Sequence, residues 1–217
     1  FNGLLLLLTG WVIYSIARTL WDRPIGLFAT AIYFVSVDAI GNALTASGVA
    51  LAGLLVTVAV WALIRGRNAQ VEAADERSSK RAGILWPAVA GGVLGLAWLS
   101  GLTSLLLAIP LALLAGAYSS NRWRSAGVFV AALAIVLAPW MIRNLMVAGT
   151  PFPPLATYEL IANTADYPGM TIYQQMPADA PSPLAWAVSH PGQMGSKVLN
   201  ALIQVYRGGP RLLTPYL

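Results

Sequence analysis

Residues able to do chemistry are sparse in the apolar part of this chain, so each one carries information. Asp38, in "YFVSVDAIGNALT", is the only acid inside a long apolar segment. An ionisable group at the centre of a bilayer costs about 2.5 to 3.5 kcal/mol on insertion scales, so it belongs near water or at a site. Asp38 lies close to the outer end of its segment, which leaves two readings. It is a carboxylate facing an external catalytic cavity, where it could accept a proton, or it caps a helix exit in wet headgroups. A second group lies in "LAPWMIRNLMVAGTPFPP", Leu137 to Pro154, where Pro139, Trp140, Arg143 and Asn144 crowd the end of an apolar run. Trp and Arg both bury an apolar stem and place a polar end at the headgroups. His190 is the single histidine and adjoins Pro191, as a turn residue would. With no cysteine and no second histidine, any metal would need carboxylate ligands alone, and no EF-hand spacing occurs. Neither a metal nor a cofactor is expected.

The elements that must position these residues are membrane spans. The chain is 58% hydrophobic and 10% charged, with the apolar residues in long runs, which predicts an all-α integral membrane protein. Six segments are long and apolar enough to span or nearly span: Leu4 to Ala17, Ile25 to Gly41, Ala46 to Ile64, Ile84 to Leu99, Leu102 to Tyr118 and Ala126 to Ile142. The last rises about 26 Å against a hydrocarbon core of about 30 Å, so Trp140 and Arg143 are expected to complete the crossing. No basic stretch precedes the first apolar run, which fits an internal piece of a longer chain.

Alternation of six helices puts Arg18, Arg23, Arg65, Arg67, Arg77, Lys80, Arg81, Arg122 and Arg124 on one side, nine of the thirteen bases. The positive-inside rule makes that side cytoplasmic and both chain ends external. The net charge of +5 is thus a matter of topology, and no nucleic-acid partner is expected. The location is an inner or plasma membrane.

Two regions follow: a six-helix bundle over 1–142 with a cytoplasmic linker at 65–82, and an external, membrane-apposed region over 143–217. The linker "RGRNAQVEAADERSSKR" has no apolar stripe and reads as a solvated loop, with attraction to anionic lipid as the alternative. The external region holds ten of the fourteen prolines and no run able to span. Within it, Met194, Val198, Ala201, Leu202 and Val205 recur at helical spacing opposite Gln193, Lys197, Asn200 and Gln204. This predicts an amphipathic helix between Pro191 and Gly208, lying on the outer interface or packed on protein. Gly91 and Gly95 make a small-xxx-small face suited to close helix packing.

Four stretches resemble the GT-C fold glycosyltransferases, in particular the family 39 mannosyltransferase-like proteins that use polyprenyl- or dolichyl-phosphate sugars. They are "TGWVIYSIARTLWDRPIGLFATAIYF", "GGVLGLAWLSGLTSLLLAIPLALL", "APWMIRNLMVAGTPFPP" with its Pro-Trp-x-x-Arg-Asn exit, and "VSHPGQMGSKVLNALIQVY". The third is the most specific. The resemblance covers most of this chain and the middle of a family member.

The resemblance implies transfer of a sugar from a polyprenyl-phosphate donor on the outer face. It gives Arg143 a phosphate to meet with its fork of donors, and Asn144 further hydrogen bonds. The plain alternative for Arg143 is a headgroup anchor. Family members place their general base in a first external loop, which here would precede Phe1. Asp38, Glu159 and Asp166 are the nearby external carboxylates, and none matches a family motif. Relatives often carry an acid where this chain has Ala46 and Ser47, and an Arg where it has the uncharged "LSGLTS". The rival reading is a catalytically degenerate relative, kept as a structural subunit among other membrane subunits and lipids.

Overall fold

The structure, a computed structural model, describes residues 1–44, 48–100, 102–119, 121–151, 158–169, 171–174 and 181–211. Among these residues it is helical and has no strand. The chain divides into two compact units, Phe1–Pro139 and Trp140–Leu217.

The first unit contains α1 (Asn2–Leu20), α2 (Arg23–Val35), α3 (Val37–Leu44), α4 (Val49–Val71), α5 (Glu76–Ser100), a 3-10 turn (Leu102–Leu107), α6 (Ala108–Ala117) and most of α7 (Arg122–Ala148). Among the described residues four helices, α1, α4, α5 and α7, are long and apolar enough to cross a membrane, and α2 with α3 makes a fifth if the bent pair is one span. No more than 44% of the apolar window of any of the four is buried within the chain. Most of their apolar surface therefore faces outward, as in a lipid-solvated helix.

Six uninterrupted spans are the sequence expectation, and the structure departs from it at two of them. The Ile25 to Gly41 segment breaks at Ser36, where α2 and α3 meet at 57°. Ser36 adopts φ −64°, ψ 125°, and its N–H turns back to the Tyr33 carbonyl at 3.2 Å. The β-branched Val35 and Val37 on either side hold the helix only weakly there. The Leu102 to Tyr118 segment opens with the 3-10 turn and leaves ten residues of α6. Pro110 sits in the first turn of α6, the one place where its missing N–H costs little.

The expected 65–82 linker is corrected to a helical hairpin, since α4 runs to Val71 and α5 starts at Glu76. Asp75 Oδ1 caps α5 by accepting the Ser78 N–H at 2.6 Å, and that backbone hydrogen bond holds the Asp75 carboxyl below its usual range. Arg65 pairs with Glu72 at 3.8 Å and Lys80 with Glu76 at 2.7 Å. Charged residues end an apolar stripe without ending backbone hydrogen bonding. Likewise α7 runs through Pro139, a residue that ends or kinks many helices, to Ala148 and exits at Gly149. Gly149 takes φ +70° and returns its N–H to the Leu145 carbonyl at 3.1 Å, a left-handed cap that glycine adopts without strain.

Glycine sets the helix spacing in this unit. A Cβ on Gly91 would stand 2.1 Å from the Phe129 carbonyl oxygen, and one on Gly95 2.9 Å from Val136 Cβ. Between them Leu94 and Phe129 are fully buried. The expected small-residue face is therefore the seam between α5 and α7, where Ser125 Oγ also donates to the Gly83 carbonyl at 2.8 Å. A Cβ on Gly66 would stand 2.5 Å from Trp86 Cβ, beside an edge-to-face Trp61–Trp86 pair.

Packing also sorts the charges. At one end of the unit the Gln70 amide donates to the Tyr118 carbonyl at 3.4 Å, and Arg67 lies 5.4 Å from the Tyr118 ring. There too Thr19 and Leu20 share a cleft with Arg67 and Glu72, and Arg122 adjoins Gly116. Arg67 and Arg122 thus stand at the same end of the unit. At the opposite end Gly48 approaches the Ser100 carbonyl, where a Cβ would stand 2.8 Å from the oxygen.

The second unit holds the end of α7, a 3-10 turn (Thr171–Gln174), α8 (Pro183–Ser189) and α9 (Pro191–Arg211), which runs on past the expected stop at Gly208. Its small core is Tyr158, Ile161, Ala162, Ile172 and Trp186, with Tyr167 and Met194 against it. Asn163 takes φ 61°, tolerated by its short polar side chain, and its N–H donates to the Gly169 carbonyl at 3.0 Å. The stretches Pro151 to Pro154 and "ADAPSP", whose prolines predict turns, lie mostly outside the described residues.

Candidate functional site

The break at Ser36 builds a cavity in the first unit. About 340 Å³ in volume and open on one side, it is lined by α1, the bent α2–α3 pair and α4, and its polar lining is Thr9, Tyr33, Ser36, Asp38, Asn42 and Thr57. Asp38 stands in the first turn of α3 and lines this cavity while remaining solvent-accessible. The break at Ser36 makes Asp38 part of a helix start rather than of the expected helix exit. It sits at a helix start, where the dipole favours an acid, and it faces a hollow. Thr9 and Thr57 lie on α1 and α4, and their hydroxyls donate to the Leu5 carbonyl, at 2.7 Å, and to the Gly53 carbonyl. Sequence reading misses Thr9, Tyr33 and Thr57, because nothing local ties them to Asp38. The only available sign is Ser36 between two valines.

The second candidate lies near the end of α7. The Arg143 side chain is exposed and has no ion pair among the described residues. Its neighbour Asn144 is half-buried and gives its amide to the Pro151 carbonyl at 3.4 Å. Asn144 thereby ties the chain after Gly149 back onto the helix. Among the described residues, then, Arg143 has no ion pair while the Asn144 amide holds the exit.

Of the other expected residues, Asp166 and His190 have side-chain partners. Asp166 Oδ2 accepts the Gln193 amide at 2.9 Å, and the Asp166 N–H donates to Gln193 Oε1 at 3.4 Å. His190 ends α8, its ring stacked on Trp186 at 4.4 Å and its Nδ1 3.0 Å from the Trp186 carbonyl. Glu159 is exposed, and its backbone carbonyl accepts from Lys197 Nζ at 2.6 Å. Ala46 and Ser47 fall outside the described residues.

The amphipathic helix is present as α9, and its faces are used unexpectedly. Gln193 and Lys197, from the polar face, hold it to the 158–166 turn beside Met194. Val198, Leu199 and Leu202 are each more than half exposed.

No protein-family model, curated protein or solved structure matches this chain.

Proposed function

We propose that the chain is part of a membrane glycosyltransferase that takes its sugar from a polyprenyl-phosphate donor on the outer face. In this reading the bent α2–α3 pair counts as one crossing, and α6 with its 3-10 turn as another. Six crossings then leave both chain ends outside and the nine bases in the cytoplasm. The external region lies on the outer interface with the exposed face of α9 against lipid. Arg143 receives the donor phosphate. The supporting observation is its exposed guanidinium, unpaired among the described residues, beside an asparagine that fixes the helix exit. A planar fork binds a phosphate through two parallel hydrogen bonds, which an ammonium cannot reproduce.

The test is binding of polyprenyl phosphate to the full chain in liposomes, with wild type, Arg143→Lys and Arg143→Gln. Losing a charge-assisted hydrogen bond should weaken binding about 10- to 150-fold in the Gln variant, with Lys in between. Equal affinity in all three would make Arg143 a headgroup anchor.

A second reading, a degenerate structural subunit, draws on the open apolar surface of α7, whose apolar window is only 22% buried. Partner helices would cover that surface as well as lipid does. Equal affinities above would favour it.

A further inference from the structure

The cavity at the α2–α3 break has a chemistry of its own, apart from the donor-phosphate reading. Among the described residues its lining includes one carboxylate, Asp38, and no Lys, Arg or His. A hydroxyl has one proton to give. Thr9 and Thr57 give theirs to the Leu5 and Gly53 carbonyls, so toward a ligand they act only as acceptors. The C-terminal end of α2 and the N-terminal end of α3 meet at Ser36. Their opposed dipole ends offset one another there, which leaves the carboxylate as the net charge. Tyr33 adds an aromatic ring, whose face attracts cations. At about 340 Å³ the hollow is far larger than a bare metal ion needs and falls within the range of small-molecule pockets.

We propose that this cavity binds a protonated primary amine, presented by the ethanolamine headgroup of a membrane lipid or by a free small amine. An ammonium supplies three N–H donors to a lining that offers several acceptors, and its charge balances Asp38, which has no ion pair among the described residues. A trimethylated ammonium has the same charge and no N–H, so the site should reject it. Pockets built to hydrogen-bond discriminate strongly against analogues that leave their polar groups unpaired.

The experiment uses the full chain, delipidated in detergent. It is offered equal amounts of phosphatidylethanolamine and phosphatidylcholine with identical acyl chains, and retained lipid is read by native mass spectrometry. Wild type should retain the ethanolamine lipid about 10-fold over the choline lipid, the loss expected for a missing charge-assisted hydrogen bond. Asp38→Glu should keep that preference and Asp38→Asn should abolish it. Displacement of the ethanolamine lipid by free ethanolamine, and not by choline, would place recognition in the ammonium alone. Failure of ethanolamine to compete, with the lipid preference intact, would make the lipid the ligand. No preference in wild type overturns the proposal even if the Asn variant fails to fold. A preference that survives Asp38→Asn overturns it too, because the amine is then bound elsewhere.

Discussion

A methyl group on Gly91 would stand 2.1 Å from the carbonyl oxygen of Phe129, closer than any side chain could relieve, because the obstacle is backbone. Gly91→Ala must therefore push α5 and α7 apart around the fully buried Phe129 and Leu94. Overpacking of this kind costs typically about 1 to 3 kcal/mol. Gly127 lies on the same α7, and a methyl group there would meet nothing within 4 Å, so it serves as the control. Gly127→Ala should be neutral or stabilising by up to about 1 kcal/mol through helix propensity. Thermal unfolding in detergent reads both, and equal melting points would refute glycine-set spacing.

The proposed sidedness can be checked with single cysteines, since the chain has none of its own. Ser78 and Ser196 are both exposed, so neither substitution disturbs a core. A membrane-impermeant maleimide applied to right-side-out vesicles should label Ser196→Cys and leave Ser78→Cys untouched until the membrane is opened. Labelling of both from the same side would sink the topology.

Lys197 ties α9 to the carbonyls of Glu159, at 2.6 Å, and Leu160, at 2.9 Å. Burial lowers its pKa from the ordinary value of 10.5, outweighing the nearby Glu159 charge that raises it. With the folded-state value depressed, the unfolded chain binds more protons between that value and 10.5. Stability should thus be lowest below the depressed value and rise as the pH climbs through this window. Thermal melts of wild type and Lys197→Met across the alkaline range should show the rise in wild type alone. A parallel pH dependence in both proteins would remove Lys197 as its source.

The membrane class, the charge asymmetry and the Gly91–Gly95 face were all legible in the sequence. Each depends on composition or on spacing within one helix, and helical geometry converts spacing into a face without help from the rest of the chain. Helix ends were less legible. Hydropathy fades at Arg65 and Arg81, while backbone hydrogen bonding continues to Val71 and resumes at Glu76. Pro139 is a stop signal in isolation, yet α7 runs through it, because one lost hydrogen bond does not outweigh the many others of a 27-residue helix.

What the sequence determined by itself is that the chain is helical, apolar and biased in charge, with Asp38, Arg143 and Asn144 as its conspicuous polar residues. Tertiary structure alone decided which of them have company. Thr9, Tyr33 and Thr57 come from three helices and meet Asp38 only because α2 breaks at Ser36 and α1 and α4 close around the bend. Asn144 is engaged by the Pro151 carbonyl and Asp166 by Gln193, partners seven and 27 residues away. Spacing along one helix fixes a face, but a cavity is fixed by how several faces pack, and no local pattern encodes that.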